Sequence, residues 1–263
     1  KDYEKSTYNR AVSSSRQPGS SIKPFLYLTA LENGFTVATT FASEPTTFYY
    51  NNTTYSPTNF QSIYAGFDVS MAYALATSDN IYAVKTHLFL GCDKMVNTLK
   101  RFGFSGDIPA IPSLALGVKE VSVKELTEAY SILANSGKQV TPTIITKITN
   151  MNDEVLYEAK PKTSRIADES DVYLLSEAMT SVFDDNMTYN IRPTGVSIKS
   201  MLTTKYAAKS GSTDTDNWMV GYNPDIVVSV WSGYDNNKEI ISSLDAKFGK
   251  YIWADTVEAY YRI

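Results

Sequence analysis

Arg16-Gln17-Pro18-Gly19-Ser20-Ser21-Ile22-Lys23-Pro24-Phe25-Leu26-Tyr27-Leu28 is the stretch on which the reading of this chain turns. Pro18-Gly19 ends whatever precedes it, and Ser20 then starts an apolar helix running to about Leu31. Pro24 falls in the first helical turn, where a missing N–H costs little. Ser20 and Lys23 thus stand one turn apart on the same side of a helix N-terminus. A neutral lysine so placed can take the hydroxyl proton and make a nucleophile of the serine without histidine. The plainer reading of the pair is a capping serine beside a solvent-exposed lysine.

Composition narrows the chemistry. The 263 residues are 43% hydrophobic and 20% charged, which describes an ordinary globular chain with ample core. A net charge of −4 argues against binding the nucleic-acid backbone, which needs a basic face. One histidine (His87) and one cysteine (Cys92) leave no room for the usual zinc sites or an intrachain disulfide. No metal and no cofactor is expected. Hydrolytic or acyl-transfer chemistry would run on Ser, Lys, Asp, Glu or Tyr. No apolar run approaches the 18 residues of a membrane span.

Outward from the first helix, a Thr- and Asn-rich stretch from about Thr36 to Asn59 reads as surface loop with short extended pieces. Asp68-Val69-Ser70 opens a helix that stops at Ser78-Asp79-Asn80, three poor helix-interior residues. Ile81 to about Phe102 reads as one helix ended by Gly103, with His87 and Cys92 in it as a partly buried imidazole and a small core thiol. Ser122-Val123-Lys124-Glu125 is a capping box for a helix that stops at Gly137. Ile144–Ile148 and Val155–Tyr157 form a small hairpin, and Asp171–Phe183 an amphipathic helix. Three short strands follow, at Thr204–Ser210, Trp218–Tyr222 and Ile226–Trp231, and then a helix from about Lys250 to Tyr261. No linker is long enough to divide the chain.

Two more motifs stand at the breaks of this pattern. Ser78-Asp79-Asn80 is the one Ser-x-Asn of the chain and lies between two helices; Lys209-Ser210-Gly211-Ser212 holds its one Lys-[Ser/Thr]-Gly and lies at the end of a strand. With Ser20-x-x-Lys23 they make a set, in order, on a helix start, an inter-helix loop and a strand. That set is the one used by penicillin-binding proteins and serine β-lactamases.

On these residues the chain resembles the transpeptidase domain of class A, bifunctional penicillin-binding proteins, of the Gram-positive penicillin-binding protein 4 type. The resemblance extends over nearly all of it, through Asn9-Arg10-Ala11, Asn80-Ile81-Tyr82-Ala83-Val84, Pro112-Ser113-Leu114-Ala115-Leu116-Gly117 and Trp218-Met219-Val220-Gly221-Tyr222. Ser210 and Ser212 replace the more usual threonines but keep the hydroxyl donors. The resemblance implies an α/β fold: a central antiparallel sheet with helices on both faces, plus an all-helical lobe. It implies Ser20 as nucleophile, Lys23 as general base, and Ser78, Asn80 and Lys209 as their catalytic partners. Ser210, Gly211 and Ser212 would bind substrate, and the backbone N–H groups of Ser20 and Ser212 would form the oxyanion hole.

The partners it implies are peptidoglycan stem peptides, a D-Ala-D-Ala donor and an amine acceptor, with β-lactams as covalent inhibitors. A D,D-carboxypeptidase and a non-enzymatic β-lactam sensor domain share the motifs. A class A β-lactamase is disfavoured, because Lys124-Glu125-Leu126-Thr127-Glu128 lies within a helix and lacks that family's second-base loop. In the family two strands of a five-stranded sheet lie just upstream of the segment matching Asp2-Tyr3. Residues 1–263 are therefore expected to be a transpeptidase domain lacking its N-terminal strands, which an upstream segment or companion chain would supply. A glycosyltransferase domain and membrane anchor would lie further upstream, and the whole would work at the outer face of the bacterial cytoplasmic membrane.

Overall fold

The computed structural model describes residues 4–242 and 244–262, so Asp2-Tyr3 lies outside the described residues. Among those described, the helices are α1 (Arg10–Ser13), α2 (Lys23–Leu31), α3 (Met71–Thr77), α4 (Asn80–Leu90), α5 (Cys92–Arg101), α6 (Val123–Ala134), α7 (Glu169–Thr180) and α8 (Phe248–Tyr260). The strands are β1 (Thr40–Ala42), β2 (Phe48–Tyr50), β3 (Thr53–Tyr55), β4 (Asp68–Ser70), β5 (Lys138–Val140), β6 (Lys147–Thr149), β7 (Val155–Glu158), β8 (Thr163–Arg165), β9 (Ala207–Ser212), β10 (Asp216–Tyr222) and β11 (Val227–Gly233).

The central sheet is antiparallel, in the order β11-β10-β9. Side chains alternate across a strand, and here the alternation sorts two cores. Trp218, Val220 and Tyr222 of β10 join the core of the helical lobe, with α2, α6 and α7. Met219, with Ala208 of β9, packs instead against Trp253, Ala254 and Val257 of α8. Helices therefore cover both faces, as the α/β reading expects. β11 forms one edge of this sheet, and from Val227 to Ser232 its residues are only half-buried.

The helical lobe is built around α2, which is buried along its whole length. Phe25 meets the edges of Phe102, Phe104 and Tyr130 at centroid distances of 5.1–5.5 Å. Burying one such ring contributes about 1.5–3 kcal/mol, and edge-to-face contacts add to it. This anchors the helix that carries the lysine of the first motif.

Several expected elements shift. The helix expected over Ile81–Phe102 is two, because the backbone leaves the helical path at Gly91 (φ +89). The apolar markers hide the break: α4 is buried on most sides, whereas α5 buries Cys92, Met95, Val96 and Leu99 on one stripe. Asp68-Val69-Ser70 is not helix but β4, paired with β1, and Ser70 caps α3 by accepting from Tyr73 N. The Ser20 segment begins as a 3₁₀ turn, Gly19–Ile22, before α2. The last strand-like motif slides too. Pairing with β10 carries β9 on to Ser212, so Lys209–Ser212 lies inside the strand although serine and glycine are weak strand formers.

The expected hairpin is β6–β7, with Ile148 opposite Tyr157, and it is exposed on both faces. No helix among the described residues is long and apolar enough to cross a membrane.

Candidate active site

Three backbone segments meet around Ser20 with no space for side chains between them. Gly19 sits at φ +52, and a Cβ there would lie 2.9 Å from the Ser212 carbonyl oxygen and 3.1 Å from the Ser212 nitrogen. A Cβ on Gly211 would lie 2.1 Å from the Pro18 carbonyl oxygen. On the opposite side, Gly117 follows the 3₁₀ turn Pro112–Leu116, and its Cβ would lie 2.1 Å from the Gly19 carbonyl oxygen. The turn before Ser20 is thereby held against β9, and the Ser20 and Ser212 backbones are neighbours. Trp218 Nε1 donates to the Gln17 carbonyl at 2.8 Å and tethers the approach to the turn. Ser20 itself is half-buried.

Behind it, the link between α3 and α4 wraps the end of Lys23. Ser78 ends α3 in the left-handed conformation (φ 61, ψ 41), which costs a residue with a Cβ roughly 1–2 kcal/mol. Asp79 then caps α4, accepting from Tyr82 N at 2.8 Å. The reversal aims successive oxygens at one amine. Lys23 Nζ, fully buried, donates to Asn80 Oδ1 at 2.7 Å, to the Ser78 carbonyl at 2.8 Å and to the Asp79 carbonyl at 3.2 Å. Ser78 Oγ lies 3.4 Å from the same nitrogen. From the other side Lys209 Nζ, also fully buried, donates to Ser78 Oγ at 2.9 Å and to the Ser210 carbonyl at 3.0 Å. One hydroxyl therefore bridges two buried amines.

Burial governs both. It brings Lys23 down to about 7, with the Asp79 carboxylate pulling the other way. Lys209 is driven well below the ordinary lysine value, first by burial and then by repulsion from Lys23 and Lys250. Three carbonyl-type oxygens suit an ammonium, one more than the two N–H groups of a neutral amine can serve. Losing its proton leaves Lys23 one N–H short of these three oxygens and gives it a lone pair able to accept a proton.

These depressed lysines make stability depend on pH. Unfolding returns Lys23 to 10.5, so between about pH 7 and 9.5 the unfolded chain binds more protons than the folded one. Stability is expected to rise with pH across that window, by up to about 1.4 kcal/mol per pH unit for Lys23, with Lys209 acting in the same direction. Urea unfolding at pH 7.5, 8.5 and 9.5 measures this. A stability that falls over the range would contradict it.

Of the residues expected from sequence, Ser20, Lys23, Ser78, Asn80, Lys209, Ser210, Gly211 and Ser212 fall in this one region. Ser212 is exposed, its hydroxyl donating to Asn217 Oδ1 at 3.0 Å, and Ser210 is buried. His87 and Cys92 stand apart. His87 Nε2 meets the Ile111 carbonyl at 3.1 Å, and burial lowers the ring to about 4. Burial likewise pushes the Cys92 thiol up. Among the described residues no three His, Cys, Asp or Glu side chains gather as a metal ion would need. Gly117 and the caps of α4 carry no site role in the sequence reading. Gly117 is visible there only as the end of Pro112-Ser113-Leu114-Ala115-Leu116-Gly117.

The chain is similar in sequence and fold to known proteins. The family described as penicillin binding protein transpeptidase domain matches residues 1–250. Penicillin-binding protein 2D of Bacillus subtilis is 44% identical over 260 residues, covering 98% of this chain and 38% of that protein. Penicillin-binding protein 1A of Pseudomonas aeruginosa is 31% identical over 288 residues, covering 89% and 34%. The chain thus spans about a third of the length of these relatives. Penicillin-binding protein 1A from Haemophilus influenzae, a crystal structure, superposes with a TM-score of 0.87 at 25% identity, over 97% of this chain and 44% of that one. Penicillin-binding protein A from M. tuberculosis, in an imipenem acyl-enzyme complex, shares the fold with a TM-score of 0.80 at 19% identity, over 96% and 62%.

Proposed function

The chain belongs to the penicillin-binding protein transpeptidase family, and from that premise we propose that it is a serine D,D-transpeptidase that crosslinks peptidoglycan stem peptides. Ser20 Oγ attacks the carbonyl of the penultimate D-Ala while Lys23, neutral, takes its proton. The oxygen of the tetrahedral intermediate receives the N–H groups of Ser20 and Ser212, the first at the start of a helical segment where partial positive charge gathers. The C–N bond then breaks, and the proton passes from Lys23 through the Ser78 hydroxyl to the departing D-Ala amine. An amine of a second stem peptide attacks the acyl-enzyme and releases Ser20.

Lys209 with the Ser210 and Ser212 hydroxyls holds the terminal carboxylate. An arriving carboxylate favours the charged form of Lys209, so substrate binding itself supplies the cation that burial suppresses. Asn80 keeps Lys23 in place and meets the substrate amide. A β-lactam carries out the acylation step alone and remains attached. The observation that carries this reading is the Ser78 hydroxyl bridging the Lys23 and Lys209 amines, with Lys23 brought down to about 7.

The domain belongs, on this reading, to a longer bifunctional protein anchored in the cytoplasmic membrane, with the site on its outer face. The half-exposed edge of β11 is where further strands would pair, because an open edge with apolar residues is otherwise a liability.

The test is mass spectrometry after benzylpenicillin, followed by coupling. A single penicilloyl adduct on Ser20, stable for many minutes and absent in Ser20→Ala, is expected. With a D-Ala-D-Ala peptide and an amine acceptor, crosslinked product accompanies free D-Ala. Hydrolysis without coupling would favour a D,D-carboxypeptidase; acylation by β-lactam with neither would favour a sensor domain.

A further inference from the structure

The amide of Asn80 can turn its oxygen or its nitrogen toward Lys23, with opposite consequences. An oxygen accepts an N–H and holds the amine in place; a nitrogen would compete with the amine as a donor. The orientation is determined at the far side of the side chain, where Asn80 Nδ2 donates to the Thr58 carbonyl at 2.7 Å. A carbonyl only accepts, so Oδ1 is left for Lys23.

The next residue clamps Thr58 to this spot. Asn59 is 6% exposed. Its Oδ1 accepts from the backbone N–H of Asn80 at 2.7 Å and of Ile81 at 3.3 Å, and its Nδ2 donates to Asp79 Oδ2 at 2.8 Å. A single side chain thus serves two of the otherwise unserved N–H groups of α4 and one oxygen of the residue that caps it. Ser43 Oγ donates to the same Asp79 oxygen. Just beyond, Gln61 and Ser62 both sit at positive φ (54 and 55), a strained turn that needs such fixed neighbours.

We propose that Asn59 is a positioning residue for acylation: by locking Thr58 against the start of α4, it fixes which end of the Asn80 amide Lys23 meets. The inference rests on the reading of Lys23 as the base. The charged and titratable groups acting on Lys23 are Asp79 and, through Ser78, Lys209, with Lys250 of α8 acting on Lys209 in turn. The Tyr27 and Tyr82 phenols nearby are pushed above 10 by burial and stay neutral.

Acylation by a fluorescent penicillin, followed from pH 5.5 to 9, tests this. Asn59→Ala is expected to slow acylation at pH 7.5 by about 100-fold, the order of effect of a misplacement near 1 Å. The acid limb of the profile is expected to move to lower pH by about one unit, with the final labelling stoichiometry unchanged. The direction follows because an ammonium that loses the Asn80 oxygen is less favoured. A purely structural role would lower the active fraction and leave the limb in place. An unchanged rate, or a limb that stays or moves to higher pH, overturns the inference. Should Asn59→Ala fail to fold, Asn59→Ser, whose hydroxyl can still accept one N–H, carries the same test with a smaller displacement in the same direction. Ser20→Ala is run beside it: labelling that survives there overturns the proposed function, whereas an unmoved limb with labelling lost in Ser20→Ala overturns only the role of Asn59.

Discussion

Lys23→Met is expected to slow acylation by benzylpenicillin about 1,000- to 10,000-fold, the upper part of the range for loss of a general base. Methionine keeps the length of the side chain and removes the amine, so the buried space beneath Ser20 stays filled. What disappears is the proposed acceptor of the Ser20 proton and the donor to three oxygens, Asn80 Oδ1 and the carbonyls of Ser78 and Asp79. Stopped-flow acylation measures the loss, and a rate within tenfold of the unaltered protein would remove Lys23 from the base role. The same variant reduces the rise of stability between pH 7.5 and 9.5 without abolishing it, because the Lys23 contribution is gone while that of Lys209 remains. The two readouts are independent, one kinetic and one at equilibrium.

The second large effect is expected far from any reacting atom. Gly117→Ala puts a Cβ 2.1 Å from the Gly19 carbonyl oxygen and 2.6 Å from the Gly19 nitrogen, at a backbone φ of +83 that L side chains rarely adopt. Both obstacles are backbone, so no rotamer relieves them, and either α2 or the Pro112–Leu116 turn must move. Strain of this kind belongs to the most destabilising class of single changes, about 3–5 kcal/mol. We expect a melting temperature lower by about 6–20 °C, and acylation slowed at least about 100-fold by displacement of Ser20. Thermal unfolding and the acylation rate together decide it. A variant with neither change would mean that the three glycine-bearing segments are looser than their contacts indicate.

Short-range chemistry was the legible part of this chain. Ser20-x-x-Lys23, Ser78-x-Asn80 and Lys209-Ser210-Gly211 each carry their meaning within four residues, and the helix starts and strands around them follow from caps and periodicity. The structure brings all three together around Ser78 and the Gly19–Ser212 contact. What local pattern does not reveal is how the segments press on one another. Gly117 reads only as the last residue of Pro112-Ser113-Leu114-Ala115-Leu116-Gly117, and the approach of Gly19 is what gives it weight. Asn59 closes a polar stretch with no periodicity, and its partners around the start of α4, Asp79, Asn80 and Ile81, lie twenty or more positions away.

The break at Gly91 is invisible to periodicity for a related reason: buried residues on most sides of α4 leave no stripe whose phase could change. Val69 likewise suits a helix start or a strand, and only pairing with Phe41 decides it. The lysine values are tertiary by nature, since burial sets them and no neighbour in sequence does.

The β6–β7 hairpin has a practical use. Its tip closes on itself, Asn150 Oδ1 accepting from the N–H groups of Asn152 and Glu154, and Met151 at its end is fully exposed. Backbone that owes its shape to its own turn tolerates an inserted stretch better than backbone pinned by a core. A fluorophore-bearing peptide spliced between Asn152 and Asp153 would therefore report the protein's location and neighbours in living cells while the Ser20 region keeps its geometry.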